Sequence, residues 1–431
     1  MSDLQKAWAK SRLTAGISPE AFDEREEEME EADSYITELP ESHPDDDSSS
    51  ASSASSTGTI IPSPSQKLFA RPQGVPRGRT LQPIPWTTYF ERELFLKPPG
   101  SAPGLTLHAY LTSPGDKGPL FVMHHGAGSS GLSFAVCASE IRKRVPNAGM
   151  LSIDARGHGL TVTPEGEELD LSLGTLAKDL LAVIMMTKAE MKWAEMPPII
   201  LVGHSLGGAV VTELAKSAQL GNALLGYAVL DVVEGSAMDA LQSMQTYLST
   251  RPTGFATLEA GIEWHVRSRT LRNSTAARTS VPSLLSNEPS AEGDPRPWKW
   301  RTDLAQTQPF WEGWFVGLSK KFLEARGGKL LLLAGTDRLD TELTIGQMQG
   351  KPFCPIIMTI ILISRRGPNS IDFCFAGKYN LQVFPEAGHF IHEDLPEKTA
   401  VSLVDFHRRN DRSALVLPPK VSDLLKQGKR V

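Results

Sequence analysis

The 431-residue sequence predicts an α/β protein whose mostly parallel central sheet is covered by helices on both faces. Short, unbroken apolar runs alternate with stretches of helical spacing, and several of those runs end directly in glycine-rich turns. A strand that is apolar along its whole length needs cover on both faces, which is the situation of a parallel sheet packed between helices.

Taken in order, residues 105–111 (Leu-Thr-Leu-His-Ala-Tyr-Leu) alternate like a half-buried strand, and 119–124 (Pro-Leu-Phe-Val-Met-His) form a buried one. Residues 134–145 read as a helix, 150–154 as a strand, and 173–191 as a long helix. Residues 199–202 (Ile-Ile-Leu-Val) are a strand stopped by Gly203. A helix follows at 206–218, and 225–230 is again a strand. Later come strands at 329–334 and 379–384 and a helix near 396–408. We read one α/β domain over 81–412. Roughly a hundred residues separate the strands at 225–230 and 329–334, and they hold five of the eight tryptophans: Trp264, Trp298, Trp300, Trp311 and Trp314. The expectation is an aromatic-rich helical lid at about 236–325, over the sheet edge where loops carry function. Ordinary helical packing of these aromatics is the competing reading.

Charge marks the flanks. The net charge is −6, yet residues 20–47 alone hold fourteen acids and one arginine. A Ser/Ala/Thr/Gly stretch follows to about residue 59. Residues 1–80 cannot bury enough apolar surface to offset the entropy of ordering them, so they read as a disordered tail; 413–431 read as a C-terminal tail. The remainder is almost neutral and has no basic stripe, which argues against nucleic acid as the main partner. Cys137, Cys354 and Cys374 are odd in number and lack a CxxC pair, so neither a disulfide framework nor a cysteine zinc site is expected. The start, Met-Ser-Asp-Leu-Gln-Lys, has no apolar core like that of a signal peptide. The longest apolar run, 356–363, is far below the ~20 residues that cross a bilayer. We therefore expect no membrane association and a cytoplasmic protein, with the nucleus as a second location.

The decisive motif is Gly203-His204-Ser205-Leu206-Gly207, which fits G-x-S-x-G between a buried strand and a helix. A nucleophilic serine needs a sharp turn to expose its hydroxyl, and glycines remove the side chains that would collide there. The helix beginning at Leu206 points its positive end at a developing oxyanion. His124-His125-Gly126-Ala127-Gly128 resembles the H-G-G-G turn that supplies a second donor, so Ala127 and Leu206 are the candidate oxyanion-hole residues. Asp154-Ala-Arg156-Gly157-His158-Gly159 is the D-x-R-G-x-G turn usual in α/β-hydrolases; we expect a structural role for it and none in catalysis for His158. The base should follow the last strand, and Gly388-His389-Phe390-Ile391-His392 supplies it. His389 fits, with His392 as rival. A metal reading fails, because H-x-x-H-E is neither H-E-x-x-H nor H-x-x-E-H. Two carboxylates compete for the third place: Asp337 after the penultimate strand, where such enzymes usually keep it, and Asp231 at the end of the strand before. Position alone favours Asp337.

Beyond these motifs, residues 81–400 resemble the protein phosphatase methylesterases. The matching stretches are Asp231-Val-Val-Glu-Gly-Ser-Ala-Met-Asp-Ala-Leu241, Ile262-Glu-Trp264, Trp311-Glu-Gly-Trp-Phe315, Leu331-Leu-Leu-Ala-Gly-Thr-Asp-Arg-Leu-Asp340 and Leu343-Thr-Ile-Gly-Gln-Met-Gln-Gly350. The resemblance implies an α/β-hydrolase fold and a serine carboxylesterase without metal or organic cofactor. It implies as substrate the methyl ester on the C-terminal leucine of the protein phosphatase 2A catalytic subunit. It also moves the triad acid to Asp231, in D-V-V-E-G, and leaves Asp337 a supporting residue. A monomer is expected. The sequence departs from the pattern once: some 27 residues, about 351–377, intervene before the last strand. They are apolar and bounded by Gly-Lys at both ends, and we read them as a translated retained intron, with a real surface loop as the alternative. A small-molecule esterase or lipase of the same fold, and a scaffold that binds and inactivates the phosphatase, are the alternative functions.

Overall fold

Each strand expected from an apolar run forms, and together with one unexpected edge strand they make a single large sheet. The structure is a computed structural model; it describes residues 81–411 except 101–103, 165–168, 288–294, 336–338 and 349–378. The tail at 1–80, Asp337, the segment 351–377 with Cys354 and Cys374, and the tail at 413–431 lie outside the described residues. In chain order the elements are β1 (Arg92–Leu96), β2 (Leu107–Thr112), β3 (Leu120–His124), α1 (Ala135–Arg144), β4 (Gly149–Asp154), α2 (Leu173–Glu190), β5 (Ile199–His204), α3 (Leu206–Ser217) and β6 (Leu224–Leu230). Then follow α4 (Glu234–Thr250), β7 (Gly254–Phe255), α5 (Leu258–Arg267), α6 (Ser274–Leu284), β8 (Leu285–Asn287), β9 (Trp298–Trp300), α7 (Trp311–Phe315) and α8 (Leu318–Glu324). The chain returns to the sheet with β10 (Gly328–Leu333), α9 (Thr341–Met348), β11 (Asn380–Val383), α10 (Ile391–Asp394) and α11 (Pro396–Asn410).

The large sheet has the order β1-β2-β4-β3-β5-β6-β10-β11, and β2 alone runs against the others. Its apolar strands divide their side chains between two cores. Leu120 and Val122 of β3 face the cluster built on α2 and α3, with Leu180, Ile184, Val210 and Leu214. Phe121 and Met123 face the cluster built on α1 and α11, with Phe134, Ile141, Leu403 and Phe406. Ile199 and Leu201 against Ile200 and Val202 repeat the pattern on β5. This is the physical reason for an unbroken apolar run: a period of two with both faces buried leaves no polar position.

The segment between β6 and β10 is not only helical, as the sequence suggested. Beside α4 to α8 it contains a three-stranded antiparallel sheet, β7-β9-β8. That module has its own cluster, in which Phe255, Ile262, Val281 and Leu285 are buried under Trp264, Trp298 and Trp300. Trp311 and Trp314 belong to the main core instead; the indole N–H of Trp314 donates to the carbonyl of Leu171 at 2.7 Å. Among the described residues no helix is long and apolar enough to cross a membrane.

Candidate active site

Ser205 sits between β5 and α3 with φ +51° and ψ −120°, outside the regions an L-residue normally occupies. The turn is that tight because two glycines allow it. A Cβ on Gly203 would lie 2.1 Å from the carbonyl oxygen of Gly207, and one on Gly207 would lie 2.1 Å from that of His124. Backbone on backbone cannot yield, so only glycine permits this elbow. Its amide N–H donates to Leu230 O at 3.0 Å, which anchors the elbow to the end of β6.

The turn after β3 is braced by two imidazoles. His125 Nδ1–H donates to Gly126 O at 2.7 Å, while its Nε2 accepts from the amide of Ala155 at 3.0 Å. His158 Nε2 accepts from Gly128 N–H at 2.9 Å, and its Nδ1–H donates to Arg156 O at 2.7 Å. Burial holds His125 well below and His158 below the ordinary histidine pKa, and each is neutral, since its Nε2 accepts. His158 is thus a strut, as expected. Asp154 fixes the same turn: it accepts from Gly131 N–H at 2.7 Å, from Leu160 N–H at 2.9 Å and from His108 Nδ1–H at 2.8 Å. The braces leave the amides of Ala127 and Leu206 without an acceptor among the described residues, whereas Gly128 and Ser129 beside Ala127 are both bonded.

His389 follows β11, and its Nδ1–H donates to Asp231 Oδ2 at 2.8 Å. The carboxylate is wholly buried while the imidazole is 44% exposed. Asp231 takes φ +54° at the end of β6, which an aspartate tolerates better than most residues. Its other oxygen accepts from Ala334 N–H at 2.8 Å. His392, the rival base, is fully buried and stacked on Phe134 with centroids 4.1 Å apart. Burial pushes it down to about 3, and neither ring nitrogen has a hydrogen-bond partner among the described residues. It is a core residue. Position in the chain had favoured Asp337; among the described residues it is Asp231 that the fold brings to His389.

Two contributors carry no sequence motif of their own. His204 donates its Nε2–H to the carbonyl of His389 at 2.8 Å, tying the residue beside Ser205 to the loop that bears the imidazole. The G-H-S-L-G string contains it, but nothing in the string says what it holds. Ser205, His389 and Ala127 border one cavity of about 370 Å³ with apolar walls from Leu241, Met244, Trp300, Trp311, Trp314 and Phe390. Most of that wall comes from the β6–β10 segment. Among the described residues no group of three His, Cys, Asp or Glu side chains is placed to hold a metal ion.

A model of the Alpha/beta hydrolase family matches residues 121–401, so the sheet and the elbow at Ser205 are those of an alpha/beta hydrolase. The curated relatives are more specific. Protein phosphatase methylesterase 1 of Gibberella zeae is 68% identical over 435 residues, spanning 100% of both chains. That of Neurospora crassa is 62% identical over 485 residues, again 100% of both. That of Schizosaccharomyces pombe is 42% identical over 338 residues, 78% of this chain and 87% of that one. The chain belongs to the protein phosphatase methylesterase family.

Proposed function

We propose that this protein is a serine carboxylesterase that removes the methyl ester from the C-terminal leucine of the protein phosphatase 2A catalytic subunit. The observation that carries the reading is the 2.8 Å bond from His389 Nδ1–H to the buried Asp231, with His389 and Ser205 on the wall of one cavity. Because Nδ1 holds its proton against Asp231, Nε2 is left with a lone pair to accept the hydroxyl proton of Ser205. Ser205 Oγ then attacks the ester carbonyl, and the amides of Ala127 and Leu206 take the oxyanion. The intermediate collapses as His389 returns the proton to the departing methoxide, releasing methanol. Water, deprotonated by the same imidazole, hydrolyses the acyl-enzyme and frees the leucine carboxylate. The tryptophan-bearing β6–β10 segment is the lid and substrate-recognition module in this reading. The enzyme works as a monomer without metal or organic cofactor, in the cytoplasm and nucleus.

The test is methanol release from methylated phosphatase catalytic subunit by wild type and by Ser205→Ala. We expect stoichiometric release by wild type and none by the variant. Turnover of simple aryl esters with no release from the phosphatase would instead favour a small-molecule esterase. Loss of phosphatase activity with either protein, without methanol, would favour the scaffold.

A further inference from the structure

Two arginines border the cavity that holds Ser205: Arg251 at the end of α4, and Arg269 in the turn after α5. Neither guanidinium makes a hydrogen bond or ion pair with a described residue. Several other arginines are paired: Arg142 with Glu91, Arg144 with Glu140 and Glu397, and Arg156 with Asp179. An unpaired guanidinium in a half-buried wall is costly unless something arrives to complete it.

Arg251 is the better placed of the two, because it is held. Its guanidinium carbon lies 3.7 Å from the centroid of the Trp300 ring. Trp300 is itself fixed: its indole N–H donates to Pro252 O at 2.7 Å, and Phe255, Trp264 and His265 pack around it edge to face. Stacking on an aromatic face leaves the N–H fork free in its own plane, the geometry that a carboxylate matches. The titratable groups near Arg251 do not satisfy it. Tyr247 and Asp303 act on it only through space, and burial pushes His265 down to about 4 and so keeps it uncharged. Glu393, the one carboxyl among the described residues bordering the cavity, bonds to Ser280 at 2.5 Å, and burial pushes it up to about 8. Among the described residues no carboxylate is bonded to the Arg251 guanidinium, and Asp303, which borders the neighbouring cavity, reaches it only through space. A second cavity of about 350 Å³ shares Arg251, Trp300 and Leu304 with the first, so Arg251 stands on the boundary across which a polypeptide chain would leave the ester site.

We propose that Arg251 is a specificity-determining residue whose guanidinium takes the carboxylate of an acidic side chain that the substrate polypeptide carries a few residues ahead of its methylated terminus. The proposal rests on the methylesterase reading above. It is tested with short synthetic peptides ending in a leucine methyl ester, made in matched sets with Glu, Gln or Lys at one position, that position being moved back from the ester one residue at a time. The readout is the ratio of kcat/KM values, by methanol release, within each protein, which cancels general losses of activity.

At one position wild type should prefer Glu over Gln by about tenfold, the scale of one charge-assisted hydrogen-bonded pair, and Arg251→Gln should bring the ratio within about twofold. Arg251→Glu should favour Lys over Gln there, a gain that a misfolded protein cannot supply. A wild-type ratio near one at every position overturns the proposal, as does an Arg251→Gln protein that keeps the preference; in both cases the peptide esters are still cleaved and the methylesterase reading stands. Peptide methyl esters left uncleaved while the methylated phosphatase catalytic subunit releases methanol overturn the subsite alone; no methanol from either, with a small aryl ester still turned over, overturns the methylesterase reading and the subsite with it.

Discussion

Replacing Asp231 by Asn should be far more damaging than the loss of one charge suggests, and the reason lies in the opposite oxygen. Ala334 N–H donates to Oδ1 at 2.8 Å from a buried position. An asparagine must keep its carbonyl there, because its NH₂ group would meet a donor with a donor and leave a buried N–H unsatisfied, at about 1–3 kcal/mol. With the carbonyl so placed, the NH₂ group points at His389 Nδ1, where Oδ2 now accepts at 2.8 Å. It can only donate, so the imidazole proton moves to Nε2 and the ring loses the lone pair that would take the proton of Ser205. The same substitution in the serine-protease template lowers kcat about 10⁴-fold, or ~5.4 kcal/mol of transition-state stabilisation, and we expect that scale here. Asp337→Asn, a change to a supporting group, should cost about 10- to 100-fold. The assay is methanol release at saturating substrate, with circular dichroism to establish that both variants are folded. A folded Asp231→Asn protein within about tenfold of wild type, or an inactive Asp337→Asn beside a mildly impaired Asp231→Asn, would refute the reasoning.

Other outcomes follow from the same geometry. Ser205→Ala should abolish hydrolysis with an unchanged thermal midpoint, and a fluorophosphonate should label wild type at Ser205 alone; a second labelled residue contradicts the assignment. Gly203→Ala puts a Cβ 2.1 Å from Gly207 O, so it should inactivate the enzyme and lower stability by about 1–3 kcal/mol in urea unfolding. Removing residues 1–80 should leave small-ester turnover within about tenfold, and a larger loss would mean that this segment docks on the remainder. Glu393, raised from 4.5 to about 8, binds its proton more tightly when folded, so its contribution is complete below pH 4.5 and is lost as pH climbs through 8. Glu393→Gln should accordingly gain stability relative to wild type between pH 5 and pH 8, and parallel urea midpoints at the two values would count against it.

The residues most legible in the sequence were those whose chemistry demands particular neighbours. Ser205 and His389 announce themselves because each needs glycine beside it, and Gly203, Gly207 and Gly388 stand there. The sheet was legible for a related reason: strands buried on both faces, such as β3 and β5, leave unbroken apolar runs. β1 left none, since Arg92 and Glu93 open it and Phe95 is exposed, so only Leu94 and Leu96 point inward. The strands β7, β8 and β9 are two or three residues long, too short to show any period. Asp231 was ambiguous because its role depends on a contact 158 residues away, which no local pattern encodes. Arg251 was invisible: what distinguishes it is a guanidinium stacked on Trp300 with no hydrogen bond or ion pair among the described residues, and that arrangement exists only once the chain is folded.

The same Asp231 carboxylate has a bearing on when in its life the protein can act. One oxygen is tied to the residue after β10 and the other to the loop after β11, while the Asp231 amide itself donates to Leu332 O at 2.8 Å. Three strand ends from distant parts of the chain are thus knotted at one group. Among the described residues β11 is an edge strand paired with β10, and it is synthesised after the other described strands. A nascent chain can complete its serine elbow early, from β5 and α3, yet the imidazole arrives only with the final strand and helix. Contacts of such long sequence separation form late in folding. A half-made chain therefore displays a reactive-looking hydroxyl with nothing to deprotonate it, and hydrolytic competence begins at the moment the C-terminal edge closes.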